Sequence, residues 1–139
     1  MTPPSLLIAE DDPDDLFLIR HTLRALAPDL AVAAVRDGVE MLEWFDDCAD
    51  TALPSLAIVD LNMPRMDGRE VLRHMQRQPR LQSIPTCVFT TSVEREDRAW
   101  VAHLEGVLFL TKPESLADMR AAIELMLESA GLTGGAATA

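Results

Sequence analysis

Four short apolar runs in this chain end in residues able to handle a charged oxyanion. SLLIA (5–9) leads into Glu10 and Asp11, LAIV (56–59) into Asp60, TCVFT (86–90) closes on Thr90 ahead of Thr91 and Ser92, and VLFL (107–110) leads into Thr111, Lys112 and Pro113. Lys112 is the only lysine, every other fixed side-chain cation being an arginine. Two carboxylates about 4 Å apart repel by roughly 4 kcal/mol at an effective dielectric of about 20, so Glu10, Asp11 and Asp60 brought together call for a cation. Mg²⁺ suits them, being a hard ion commonly held by one or two carboxylates, waters and a phosphate. A solvated acidic rim is the alternative for Glu10 and Asp11 taken alone.

The rest of the acidic run EDDPDD (10–15) has a local explanation. Pro13 fits the first position of a helix and Asp12 its N-cap, while Asp14 and Asp15 fall in the first turn, where the helix dipole favours anions. The cap does not require Glu10 or Asp11, which remain available for chemistry.

Placing such groups on one edge takes a particular architecture. With AVAAV (31–35) the apolar runs number five, and none alternates cleanly, a pattern that suits strands buried on both faces. Helical stretches separate them, with capping-box-like starts at Asp37-x-x-Glu40, Asp67-x-x-Glu70 and Ser115-x-x-Asp118. Five strands alternating with five helices predict a doubly wound α/β domain built on a parallel sheet. Its ligand site lies beyond the carboxyl ends of the strands, near the switch point of strand order. In the first helix Leu16, Ile19, Leu23 and Leu26 face inward and leave Phe17, Leu18 and His21 outside. In the last, from Leu116 to about Ser129, the spacing puts Leu116, Met119, Ile123, Met126 and Leu127 on the core face and Leu125 opposite. The Gly-rich GLTGGAATA (131–139) predicts a mobile tail.

Composition narrows the function. A chain of 139 residues has the length of one compact domain, and 48% hydrophobic with 25% charged residues is the balance of a soluble globular protein. The net charge of -11 repels nucleic acid and anionic membrane surfaces, so neither is an expected partner. MTPPSLLIAE carries no basic leader, and no apolar run reaches the roughly 18 residues of a membrane span, which predicts a cytoplasmic protein. Cys48 and Cys87 lack metal-ligand spacing and indicate no disulfide framework. G-x-x-x-x-G-K-[ST] and G-x-G-x-x-G are absent, and the first strand ends in acids, which weighs against a flavin or nucleotide enzyme on the same fold.

IAEDD, IVDLNMPRMDG, PTCVFTTS and FLTKP, each closing a predicted strand and in this order, resemble the receiver domain of two-component response regulators from about residue 5 to 130. DLNMPRMDGREVL and TTS look most like the stand-alone regulators paired with bacterial phytochromes. The resemblance implies a flavodoxin-like (βα)5 fold with strand order 2-1-3-4-5 over residues 1–130. It also implies Asp60 as phosphoacceptor, Asp11 and the Asn62 carbonyl as Mg²⁺ ligands beside Asp60, and Glu10 holding metal-bound water. Thr90 becomes the switch hydroxyl, Phe109 the aromatic that follows it inward, and Lys112 the ammonium that meets a phosphoryl oxygen. The implied donor is a phosphohistidine on a sensor histidine kinase, since His21, His74 and His103 all lie on predicted helices. The domain would then catalyse only its own phosphorylation and dephosphorylation. A receiver-like interaction module without phosphotransfer is the competing reading, and the full set Glu10, Asp11, Asp60, Thr90 and Lys112 opposes it.

Three expectations follow for surfaces and geometry. Phe17, Leu18 and His21 form an apolar patch beside the site that suits the kinase. The face built by the fourth predicted helix, the fifth strand and the fifth predicted helix, with Trp100 and Leu125, carries output through a homodimer. At Lys112 a compact ammonium on a flexible stem fits where a planar guanidinium would not, and a cis bond to Pro113 would turn the chain to aim it.

Overall fold

A computed structural model describes residues 5–92 and 94–132. Along the chain run β1 (Ser5–Ala9), α1 (Pro13–Leu26), β2 (Ala31–Val35), α2 (Gly38–Asp47), a 3-10 turn (Asp50–Ala52), β3 (Leu56–Val59), α3 (Gly68–Arg77), α4 (Pro79–Gln82), β4 (Thr86–Thr90), α5 (Arg95–Val101), β5 (Val107–Thr111) and α6 (Leu116–Ser129). The five strands pair in parallel in the order β2-β1-β3-β4-β5, the expected flavodoxin-like arrangement. Two short helical elements go beyond the five expected helices among the described residues: the 3-10 turn, and α4, a single turn that opens on Pro79 directly after Gln78 closes α3.

Local chemistry starts the helices where the sequence places them. Asp12 accepts from the Asp14 and Asp15 amides, Asp37 from Glu40, Asp67 from Glu70 and Ser115 from Asp118. Each cap satisfies amides that a helix N-terminus otherwise leaves unpaired, worth about 1 kcal/mol apiece.

Successive strand residues point to opposite faces of the sheet, and each face has its own core. Leu6, Ile8, Ile58 and Phe89 pack with Ile19 and Leu23 of α1 and Met119, Ile123, Met126 and Leu127 of α6. Leu7, Ala9, Ala57 and Val59 meet Met41 and Phe45 of α2 and Val71 and Met75 of α3 on the other side. Leu61, Leu72, Val88 and Val101 form a third cluster, edged by Trp100 and Phe109.

Burial on both faces holds for the central β1, β3 and β4 but not for β2 and β5, which are half-buried because they are the sheet's edges. Leu116, expected in the core, is 66% exposed, because it opens α6 before the helix has come down onto the sheet. Leu132, expected in the tail, packs on the first core instead. Gly131 at φ 73 lets its amide reach the Glu128 carbonyl (3.0 Å) and lets the Leu132 amide reach Leu127 (2.8 Å), a Schellman closure of α6. The remainder of the expected tail, 133–139, lies outside the described residues.

Candidate functional site

Glu10 and Asp60 are the first residues past β1 and β3, neighbouring strands at the centre of the sheet. The chain turns from β1 outward to β2 and then crosses to β3, so the switch point of strand order falls between these two carboxylates. Backbone pairing carries one step beyond the strands and fixes both: the Glu10 amide donates to Val35 (3.0 Å) and the Asp60 amide to Ala9 (3.1 Å). Gly68 lets the start of α3 press against the chain behind Asp60, since a Cβ there would lie 2.3 Å from the Asp60 carbonyl oxygen. On the far side the Lys112 amide donates to the Thr90 carbonyl (2.9 Å), extending the β4–β5 ladder and launching the lysine from the strand end. The bond to Pro113 is trans, as is every other peptide bond among the described residues, so the lysine is aimed by strand pairing and not by a cis turn.

The Lys112 ammonium lies 2.6 Å from Glu10 Oε1, 2.9 Å from Asp15 Oδ2 and 2.9 Å from Asp60 Oδ2. The side chains of Lys112, Glu10 and Asp60 are 7%, 2% and 8% exposed, whereas Asp15 is 30% exposed. Asp60 Oδ1 accepts from the Asn62 amide (3.3 Å), and Glu10 Oε2 accepts from the Asp12 amide (3.1 Å). Burial pushes the Glu10 carboxyl up to about 7, with the Asp60 charge adding to the rise and Lys112 opposing it. Burial would lower Lys112, but its hydrogen bonds to Glu10, Asp15 and Asp60 outweigh that and hold it above its ordinary value.

One ammonium facing three carboxylates leaves the pocket short of positive charge. Carboxylate oxygens of Glu10, exposed Asp11 and buried Asp60 all lie within 4.8 Å of one another, a spacing that fits a single divalent cation bound through oxygen. Asn62 is exposed two residues beyond Asp60, on the same loop.

The remaining expected residues are distributed around this centre. Thr90 is fully buried at the end of β4, and its hydroxyl oxygen accepts from the Ser92 amide (3.1 Å). Phe109 is half-buried on β5 under the Arg98 guanidinium, 4.9 Å from its ring centre, and the same guanidinium donates to Thr111 Oγ1 (3.3 Å). Phe17 is 66% exposed and stacks on exposed His21, with ring centres 5.9 Å apart. Leu18 departs from its expected place: it is half-buried against the first core, because the packed face of α1 is wider than a single stripe. Trp100 is half-buried beneath Arg73, and Leu125 is 44% exposed on α6.

Two charged contacts escape the sequence pattern, one inside the site and one outside it. Asp15, assigned wholly to the helix dipole, also meets Lys112; the available signal was its position four residues before Ile19 and eight before Leu23, on the buried face of α1. Arg69 of α3 grips Asp97 of α5 through Nε–Oδ1 (2.7 Å) and Nη2–Oδ2 (2.5 Å), and Ser92 Oγ donates to the same Asp97 oxygen (3.0 Å). Nothing local in the sequence marks that pair.

Residues 6–124 match the family model of the response regulator receiver domain. Response regulator Rcp1 of Synechocystis sp. is 32% identical over 120 residues, 84% of this chain and 82% of the relative. The crystal structure of Mn(2+)-bound Rcp1 superposes with a TM-score of 0.80 at 29% identity, covering 91% of this chain and 93% of that one. The phosphorylated cyanobacterial phytochrome response regulator RcpA gives 0.81 at 29% identity, covering 90% and 91%. The bacteriophytochrome response regulator AtBRR gives 0.72 at 28% identity, covering 93% and 94%. Among the described residues no helix is long and apolar enough to cross a membrane.

Proposed function

This chain belongs to the response regulator receiver domain family, and on that premise we propose that Asp60 accepts a phosphoryl group from a phosphohistidine of a sensor histidine kinase. The observation that carries the reading is the Lys112 ammonium set between buried Asp60 and Glu10, beside an oxygen cluster suited to a cation. An Asp60 oxygen forms a bond to phosphorus, the P–N bond breaks, and the imidazole leaves with the electron pair and takes a proton. Little covalent chemistry is asked of the protein; positioning and charge neutralisation do most of it. Lys112 transfers one N–H from Asp60 Oδ2 to a phosphoryl oxygen. Asp11, Asp60 and the Asn62 carbonyl, with Glu10 through water, would hold Mg²⁺, which supplies the charge that makes the approach of two anions tolerable.

Thr90 reads the result. Its oxygen already accepts from Ser92, which leaves its own proton to donate toward a phosphoryl oxygen, and Phe109 follows inward once Arg98 releases it. Output leaves through the face of α5, β5 and α6, with Trp100 and Leu125 in a homodimer contact. Phe17 and His21 form the docking patch for the kinase, with Leu18 supporting them from beneath. The names of RcpA and AtBRR favour a phytochrome as the sensor, and the absence of a membrane-spanning helix among the described residues is consistent with the cytoplasm.

Incubation with acetyl phosphate and Mg²⁺ tests the reading. The wild type should gain one hydroxylamine-sensitive phosphate and Asp60→Asn none, with its fold kept. No labelling of the wild type, or undiminished labelling of the variant, overturns it.

A further inference from the structure

Lys112 reaches the pocket from an edge strand through a long, rotamer-rich stem, so an ammonium without fixed partners samples many directions. Its backbone is tied by the hydrogen bond that its amide donates to the Thr90 carbonyl, so the direction of the ammonium depends on the three carboxylates it meets. Those three are not equivalent. Glu10 and Asp60 both belong to the oxygen cluster that fits a cation, and Asp15 does not. Asp15 also stands apart by origin: it comes from the first turn of α1, fixed by the Asp12 cap, whereas the other two follow strands. Once Asp60 carries the phosphoryl group as an acyl phosphate, and with Glu10 available to a cation, Asp15 is the one lysine partner whose oxygens would still be unclaimed.

We infer that Asp15 is a positioning residue that holds the Lys112 ammonium in place through the phosphorylation cycle, an inference resting on the phosphotransfer reading above. With Asp15 retained, the lysine keeps one fixed partner while its contacts to Glu10 and Asp60 change on phosphorylation, and its stem stays ordered. Without it, the ammonium must be ordered anew for each transfer. Asp14 sits in the same turn, equally close to the helix dipole, but its carboxylate is not among the three that meet Lys112, so it separates a dipole effect from a lysine effect.

The single lysine makes the test direct, because protein labelled with ¹⁵N at lysine carries one Nζ signal. In Asp15→Ala the Lys112 ammonium protons should exchange with water about tenfold faster than in the wild type, the size of one charge-assisted hydrogen bond. Labelling by acetyl phosphate at saturating Mg²⁺ should slow by about tenfold as well, while the Mg²⁺ level for half-maximal labelling stays within about twofold. Asp15→Asn, which keeps an oxygen acceptor, should recover part of both losses, and Asp14→Asn should match the wild type. Unchanged ammonium exchange in Asp15→Ala overturns the inference, as does an equal effect of Asp14→Asn. If Asp15→Ala does not fold, Asp15→Asn decides by the same two measurements. A wild type that takes no phosphate removes the phosphotransfer reading, while the exchange ratio still reports separately whether Asp15 holds the lysine.

Discussion

Arg69 and Lys112 both bridge elements distant in sequence, but Arg69 holds one buried carboxylate, Asp97, through two parallel bonds, with partly exposed Asp67 at a longer 3.4 Å, whereas Lys112 meets three carboxylates through single contacts. The guanidinium is a planar fork that matches a carboxylate edge to edge, and Asp97 completes its needs with the Ser92 hydroxyl. Arg69 is accordingly held above its usual value, chiefly by the Asp97 hydrogen bonds. The buried Arg69–Asp97 pair is matched one to one, with Asp67 at its solvent-facing edge. The Lys112 pocket is left with surplus negative charge, and one of its carboxyls, Glu10, is pushed up to about 7 by burial. A matched pair ties helices together; a mismatched one keeps capacity for a cation and a phosphoryl group.

The largest effect expected from breaking the matched side is on stability. Asp97→Ala leaves a guanidinium only 21% exposed without its main partner and should cost about 3 kcal/mol in urea unfolding, while acetyl phosphate labelling survives. On the mismatched side the ion should be the stabiliser. Mg²⁺ at about a hundred times its dissociation constant should add about 2.7 kcal/mol to the wild type and to Asp97→Ala alike, with most of that gain lost in Asp11→Asn. Equal stabilisation of Asp11→Asn would remove Asp11 from the cation site.

Lys112→Arg exchanges one kind of cation for the other and should act on coupling more than on chemistry. Labelling of Asp60 should stay within about tenfold, whereas the change in Trp fluorescence or association state induced by beryllofluoride should be lost. A variant that matches the wild type in both would show that the pocket tolerates a fork.

The smallest effect distinguishes the regions by pH. The Arg69 hydrogen bond holds the Asp97 carboxyl below its usual range against the opposing effect of burial. A depressed folded value means that the pair's stabilisation is complete above the unfolded carboxyl value near about 4, and is lost as pH falls through the folded one. The stability gap between the wild type and Asp97→Asn should therefore be constant from about pH 7 to 5 and narrow below about pH 4. A gap that instead narrows on going from pH 5 to 7 would assign it to other groups.

Much of the fold was legible because its signals are local. The strands are short apolar runs, and the caps at Asp12, Asp37, Asp67 and Ser115 are bonds made within three residues. Glu10, Asp60 and Lys112 could be placed because a parallel sheet gathers its strand ends on one edge. Misplaced residues were those whose surroundings come from another element. Leu116 has the right spacing for the core but sits above it, and Leu132 lies in a Gly-rich segment but is drawn in by the cap of α6.

What the sequence determined by itself was the order and type of the main elements and the identity of the groups at their ends, since hydrophobic period, capping chemistry and charge act over a few residues. What only the tertiary structure decided was who meets whom. Asp15 and Lys112 are 97 residues apart, and Arg69 and Asp97 are 28 apart; each contact depends on which helix the crossovers lay beside which strand end. No spacing rule reaches that far, because the meeting is fixed by the packing of two apolar faces on a twisted sheet and not by the charged residues themselves.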